Sequence, residues 1–184
     1  MSTTPNQGWG FPRGRGALFV TGVLLGLAGL AGCAPSASAV EARLDHTRGS
    51  PQELAGQFLE ALRGNDVERL ADLALDEHEF RTIVWPELPA SRPERHVPMD
   101  YVWGDLHQKS RNSLRRILAA YAERPLELID VEFEGETTEY DTFRVHRDSR
   151  LVVRDELGTV RRLGLFGSVI ERAGGYKIFS YVVD

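Results

Sequence analysis

The sequence predicts an α+β domain, N-terminal helices packed on a curved four-stranded antiparallel sheet, preceded by an export signal and a tether. Apolar residues recur at helical spacing from Leu54 to Tyr121, then alternate strictly at Ile129, Val131 and Phe133. Helix-start signals fall before that switch. Turn signals fall after it, at Gly135, Asp155-Glu156-Leu157-Gly158 and Ala173-Gly174-Gly175.

Ser50-Pro51-Gln52-Glu53 reads as an N-cap, a proline at the first helical position and a capping-box glutamate. Leu54, Phe58, Ala61 and Leu62 give that helix its inward stripe up to Gly64. Asp66 caps a second short helix with Val67, Leu70, Ala71 and Ala74 inward, so the two form a hairpin. Asp76 with Glu79 starts a further turn or two that Pro86 stops just beyond Trp85. Pro86, Pro89, Pro93 and Pro98 then make a loop of about 13 residues without regular helix. Asp100 to Glu123 is the longest helical pattern. On a wheel at about 100° per residue, Leu106, Leu114, Ile117, Leu118 and Tyr121 fall within about 60° of Trp103, and Pro125 ends the helix.

Beyond Pro125, Ile129, Val131 and Phe133 form the buried side of a first strand. Tyr140 to Val153 is a long second one, broken near Asp148-Ser149. Thr159 to Arg172 is the third, with Gly164 and Gly167 marking a bulge or bend. Tyr176 to Val183 is apolar on both faces and should be central or covered.

Residues 1–32 read as a signal peptide. Arg13 and Arg15 precede residues 17–32, in which Thr21 is the one ordinary polar side chain. Sixteen residues make about 24 Å of helix, short of the roughly 30 Å bilayer core. The stretch ends in Leu30-Ala31-Gly32-Cys33, with the chain's single Cys, and resembles the lipobox of bacterial lipoproteins. That resemblance implies a diacylglyceryl thioether on Cys33, cleavage before it and acylation of the new amino terminus, hence a cell-envelope protein held to the membrane by palmitate-type chains. Ala34, where inner-membrane lipoproteins typically carry Asp, implies the outer membrane in a cell that has two. Residues 33–49 read as the lipidated cysteine and a flexible linker, and 50–184 as the domain.

The element order in residues 50–184 resembles the NTF2-like fold, a cone-shaped sheet wrapped on helices. The resemblance implies one of three roles: binding a protein partner or small ligand without catalysis, isomerase or dehydratase chemistry with a pocket His, or a structural envelope role. The non-catalytic binding reading comes first.

Composition narrows the partners. With 27 acidic against 22 basic residues the net charge is −5, and losing Arg13 and Arg15 with the signal makes it more negative, which disfavours nucleic acid. One Cys leaves no disulfide or Cys-based zinc cluster. His46, His78, His96, His107 and His146 show no metal-ligand spacing, so no metal and no cofactor is expected. The candidate pocket is Trp103, His107 and Ser110 on the long helix, with Tyr140 and His146 on the sheet. On the wheel His107 and Ser110 lie inside the apolar stripe, where an imidazole and a hydroxyl under an indole could line a cavity. Tyr140, Arg144 and His146 share one strand face, where a Tyr/His pair could move a proton at a small carbonyl substrate.

Overall fold

The computed structural model describes residues 42–183. The export signal, the lipobox with Cys33 and most of the expected linker lie outside the described residues.

Helix α1 is Pro51–Arg63 and α2 is Val67–Asp72. Ser50 Oγ accepts from the Glu53 amide and Asp66 from the Arg69 amide, each satisfying one of the free donors of a first turn. The box at α1 closes one residue early, because Glu53 accepts from Gly49 N at 2.9 Å. Helix α3, Glu77–Glu79, has the full reciprocal capping box between Asp76 and Glu79, then widens into a π-helical turn, Phe80–Val84, and a 3₁₀ turn, Trp85–Glu87. The proline loop is not shapeless: two more 3₁₀ turns occupy Pro89–Ser91 and Pro93–Arg95, each with proline in its first positions, where no amide is needed. Helix α4 is Met99–Tyr121. Leu114 and Ile117 are buried and Trp103, Leu106, Leu118 and Tyr121 half-buried, while Lys109, Arg115 and Arg116 are exposed, as the wheel expects.

Seven strands follow: β1 Glu127–Phe133, β2 Thr138–Glu139, β3 Arg144–His146, β4 Ser149–Arg154, β5 Val160–Leu163, β6 Ser168–Arg172 and β7 Gly175–Ser180. They form two antiparallel sheets, ordered β1-β4-β5 and β2-β3-β6-β7, in place of one continuous four-stranded sheet. The chain path is nevertheless that of a four-strand meander. Three of its strands are each broken once, at 134–137, 147–148 and 164–167, and the breaks line up as a crease. Asp148 sits in the left-handed region at φ 52°. At Gly167 a Cβ would stand 1.6 Å from the Val182 carbonyl oxygen, so only glycine lets the C-terminal segment cross there. Across the crease Ser149 N still donates to Gly167 O at 2.9 Å and Gly167 N to Ser180 O at 3.1 Å.

The first strand departs from strict alternation. The β1–β4 register slips between Leu128 and Asp130, leaving Ile129 without a partner. This bulge turns Leu128 toward the core and leaves Ile129 45% exposed, while Val131 is buried as expected.

Two apolar clusters hold the layers. In the first, Leu54, Phe58 and Leu62 of α1 meet Leu151, Val153, Phe166, Val169, Ile178 and Tyr181. Phe58 and Phe166 lie edge to face at 5.3 Å, and Tyr181 Oη donates to Leu70 O at 2.5 Å. In the second, Phe80, Ile83 and Val84 meet Phe143, Val145 and Ile170. Neighbours along a strand, Val169 and Ile170 for example, therefore serve opposite clusters, which is why the last strands read as apolar on both faces.

Strand β7 is covered, as its composition requires. Arg48 and Tyr176 exchange two backbone hydrogen bonds at 2.9 and 2.8 Å, and on the same strand Leu75 N donates to Ile178 O and Ile178 N to Leu73 O. The folded part thus begins no later than Ala42, whereas the sequence places the flexible linker up to residue 49. Ala42 and Leu44 pack against the second cluster.

Beneath this segment lies a buried ion pair. Lys177 Nζ is 2.8 Å from both oxygens of Glu79, and the side chains are 2% and 1% exposed. Glu79 also accepts from Asp45 N at 2.7 Å and Asp76 N at 3.0 Å. Removing one partner strands a buried charge, so Glu79→Ala or Lys177→Ala should each cost about 3–5 kcal/mol in urea unfolding. The double variant Glu79→Leu/Lys177→Met should recover most of that loss.

Candidate functional site

The five expected pocket residues occupy three separate places. His107 is exposed on α4, its ring lying against Trp103 with centroids 5.1 Å apart. The wheel puts it within the stripe, but at that turn the second cluster is already closed by Trp103, whose ring lies tilted against Phe80 at 5.2 Å. Ser110 caps the end of the sheet: its Oγ accepts from Tyr181 N at 3.0 Å. Tyr140 precedes the turn into β3 and stacks on Phe143 at 4.5 Å, so it packs with the buried set rather than beside His146. Only His146 lies in a polar cluster.

That cluster is built across three strands. In the β3–β6–β7 register Arg144 faces Glu171 and Glu171 faces Tyr176, so these side chains share the face that His146 also takes. His146 Nε2 is 2.8 Å from Glu171 Oε2 and Nδ1 is 3.1 Å from Thr137 Oγ1. A carboxylate only accepts, so Nε2 carries a proton, and in the neutral imidazole Nδ1 accepts from the Thr137 hydroxyl. Phe133 stacks on the imidazole at 4.8 Å, with Tyr176 at 6.3 Å. Burial and the Glu171 carboxylate, to which its hydroxyl is hydrogen-bonded, push the Tyr176 phenol above its ordinary value, with Arg144 pulling the other way. Thr137, Glu171 and Tyr176 escape a reading of the sequence because their grouping depends on cross-strand register.

Three of the four glutamates at 132, 134, 136 and 139 are paired with arginines. Glu134 meets Arg150 and Arg162, Glu132 meets Arg162, and Glu139 meets Arg144 at 2.9 Å. Among the described residues no group of three or more His, Cys, Asp or Glu could hold a metal ion, and no helix is long and apolar enough to cross a membrane.

Exposed apolar surface gathers at the end formed by the β4–β5 turn. Leu157 at the tip is 81% exposed and Val160, on the outer strand β5, 55%. Beside them a groove of about 180 Å³ runs between the turn and the C-terminal end of α4, lined by Tyr121, Pro125, Leu126, Leu157 and Leu163 together with the charged Arg124, Asp155, Glu156 and Arg161. The turn itself is rigid by construction: Asp155 Oδ1 accepts from the amides of Leu157 and Thr159 at 3.0 and 2.9 Å, and Oδ2 meets Arg161 Nε at 2.9 Å. A larger groove, about 440 Å³, lies at the other end, between Leu44, Thr47 and Arg172, where the chain continues toward residue 41.

No family model, curated protein or solved structure matches the chain.

Desolvation raises the Asp155 pKa, but the Thr159 and Leu157 amides and the Arg161 guanidinium outweigh it and hold the carboxyl below its usual range. Its support for the turn is therefore complete above the unfolded value, near 3.9, and lost as pH falls through the lower folded value. Amide exchange at Leu157 and Thr159 should be slow at pH 6, and should accelerate, beyond the intrinsic pH trend, as pH drops below about 4. The Asp155→Asn variant should lack that step.

Proposed function

We propose that the chain is a lipid-anchored bacterial envelope protein, attached through Cys33, whose domain is an NTF2-like variant that binds a protein partner at its β4–β5 end without catalysis. The order supports the fold reading: a helical hairpin, a long helix, then a bent meander whose last strand is covered on both edges. The lipobox Leu30-Ala31-Gly32-Cys33 supports the anchor, and Ala34 after it the outer-membrane address.

One observation carries the binding reading. The interior between helices and sheets is filled by Phe58, Phe166 and Tyr181, so recognition falls to the surface, and the most exposed large apolar side chain there, Leu157, stands beside a groove of mixed apolar and charged lining. Leu157 can enter a pocket on a partner while the groove accepts one of its side chains. The experiment places a photoreactive residue at position 157 or, as a control, at exposed Asn112 of α4, in the full chain in its own cell. The expected result is a discrete protein adduct from 157 alone, in the membrane fraction, with acyl labelling lost in Cys33→Ser. Persistent label in that variant, or no adduct specific to 157, overturns the reading.

A catalytic second reading is favoured by the line Thr137–His146–Glu171, which has the hydrogen bonding of a nucleophile, a base and the group that orients the base. It calls for slow hydrolysis of a small activated ester such as p-nitrophenyl acetate, lost in both Thr137→Val and His146→Gln. Equal rates in all three proteins would end it.

A further inference from the structure

Residues 42–48 are clamped to the domain along their length. The Arg172 guanidinium donates to the Ala42 carbonyl, Leu44 packs against the second cluster, Asp45 N reaches Glu79, and Arg48 pairs with Tyr176. Ala42 is therefore a fixed point on the domain surface beside the β6–β7 turn.

The meander determines what else lies at that end. Its second strand runs from the turn at 140–143 through β3 and β4 to the turn at 155–159, and its third returns through β5 and β6 to Ala173-Gly174. The 140–143 and 173–174 turns consequently share one end, where Tyr140 and Ala173 line the same cleft. The 155–159 turn, with Leu157, lies at the opposite end.

Only residues 34–41 separate Cys33 from Ala42. Nine Cα steps span at most about 30 Å, whatever conformation they take. A folded unit of this size has a radius of gyration of about 14 Å, hence a diameter of about 37 Å. Bringing the 155–159 turn down to the bilayer would require Ala42 to rise by about that diameter. The connection is too short.

We infer, resting on the anchor at Cys33, that the domain stands on the membrane on the end that carries Ala42, Arg43 and the 140–143 and 173–174 turns. Lipid headgroups are the partner of that end. Exposed Arg43, next to the fixed point, can meet their phosphates, while exposed Glu139 and Asp141 beside the 140–143 turn oppose them, so the short connection to Cys33 and not charge holds this end down. The Leu157 end is held away from the bilayer and open to a protein partner.

The test uses the protein purified from its own cell, with its native linker, in phosphatidylethanolamine/phosphatidylglycerol vesicles doped with a headgroup-labelled energy acceptor. A donor dye is attached at Ala173→Cys or at Leu157→Cys, the new thiol being the free one once Cys33 is acylated. Transfer should be several-fold stronger from 173 than from 157. Inserting twenty Gly/Ser residues after Ser38 should shrink that difference. Equal transfer from the two sites of a floating, native-length protein, or stronger transfer from 157, overturns the orientation alone. Protein from its own cell that does not float with the vesicles overturns the anchor, and the orientation with it.

Discussion

One carboxylate draws three distant segments of the chain together. Glu79 accepts from the amide of Asp45, from the amide of Asp76 and from both directions of the Lys177 ammonium, with almost no water access. Such a group is costly to desolvate and is tolerated only when all its lone pairs are occupied. The hydrophobic clusters supply most of the stabilisation, but they are adaptable. The ion pair is not: it accepts one position for α3, one register for β7 and one path for residues 42–48. Apolar residues of similar volume could match its stability, so its contribution is to geometry rather than strength.

The crease in the meander follows from equally local causes. Breaking three strands at Gly135, Asp148 and the Gly164–Gly167 segment gives two sheets: α1 and the C-terminal half of α4 pack against the β1-β4-β5 sheet and one face of the β6-β7 pair, while the α3 region and the N-terminal half of α4 pack against the other face of that pair. The polar cluster around His146 sits where β3 meets this crease. There the strand ends leave an imidazole between Phe133 and Tyr176, tied at each nitrogen.

Much of this fold is legible in the sequence, because the signals are local. Ser50, Asp66 and Asp76 announce helices through hydrogen bonds three residues away, the prolines between 86 and 98 mark a segment that can form nothing longer than a 3₁₀ turn, and the switch from period 3.6 to period 2 marks the sheet. What escapes is non-local. Nothing near Lys177 indicates a carboxylate 98 positions earlier, nothing in residues 42–49 distinguishes a docked edge from a linker, and the bulge at Ile129 exists only because of its partner strand. The candidate site fails for the same reason. A wheel reports angles about one helix axis, so it places His107 on the stripe without knowing that Trp103 already fills the space opposite.

The union of the described chain's first and last segments has a kinetic consequence. Helices α1 and α2 can form from their own neighbours within microseconds, since their contacts are short-range. The strands and the ion pair cannot, because Arg48 waits for Tyr176 and Glu79 for Lys177, and loops of about a hundred residues must close before either is satisfied. Until β7 arrives, Glu79 has no ammonium and Leu73–Leu75 has no strand to lie on. The domain therefore completes its core last at the place where its two ends meet, and a chain cut short before Lys177 forfeits the closure as a whole rather than losing one strand from an otherwise finished structure.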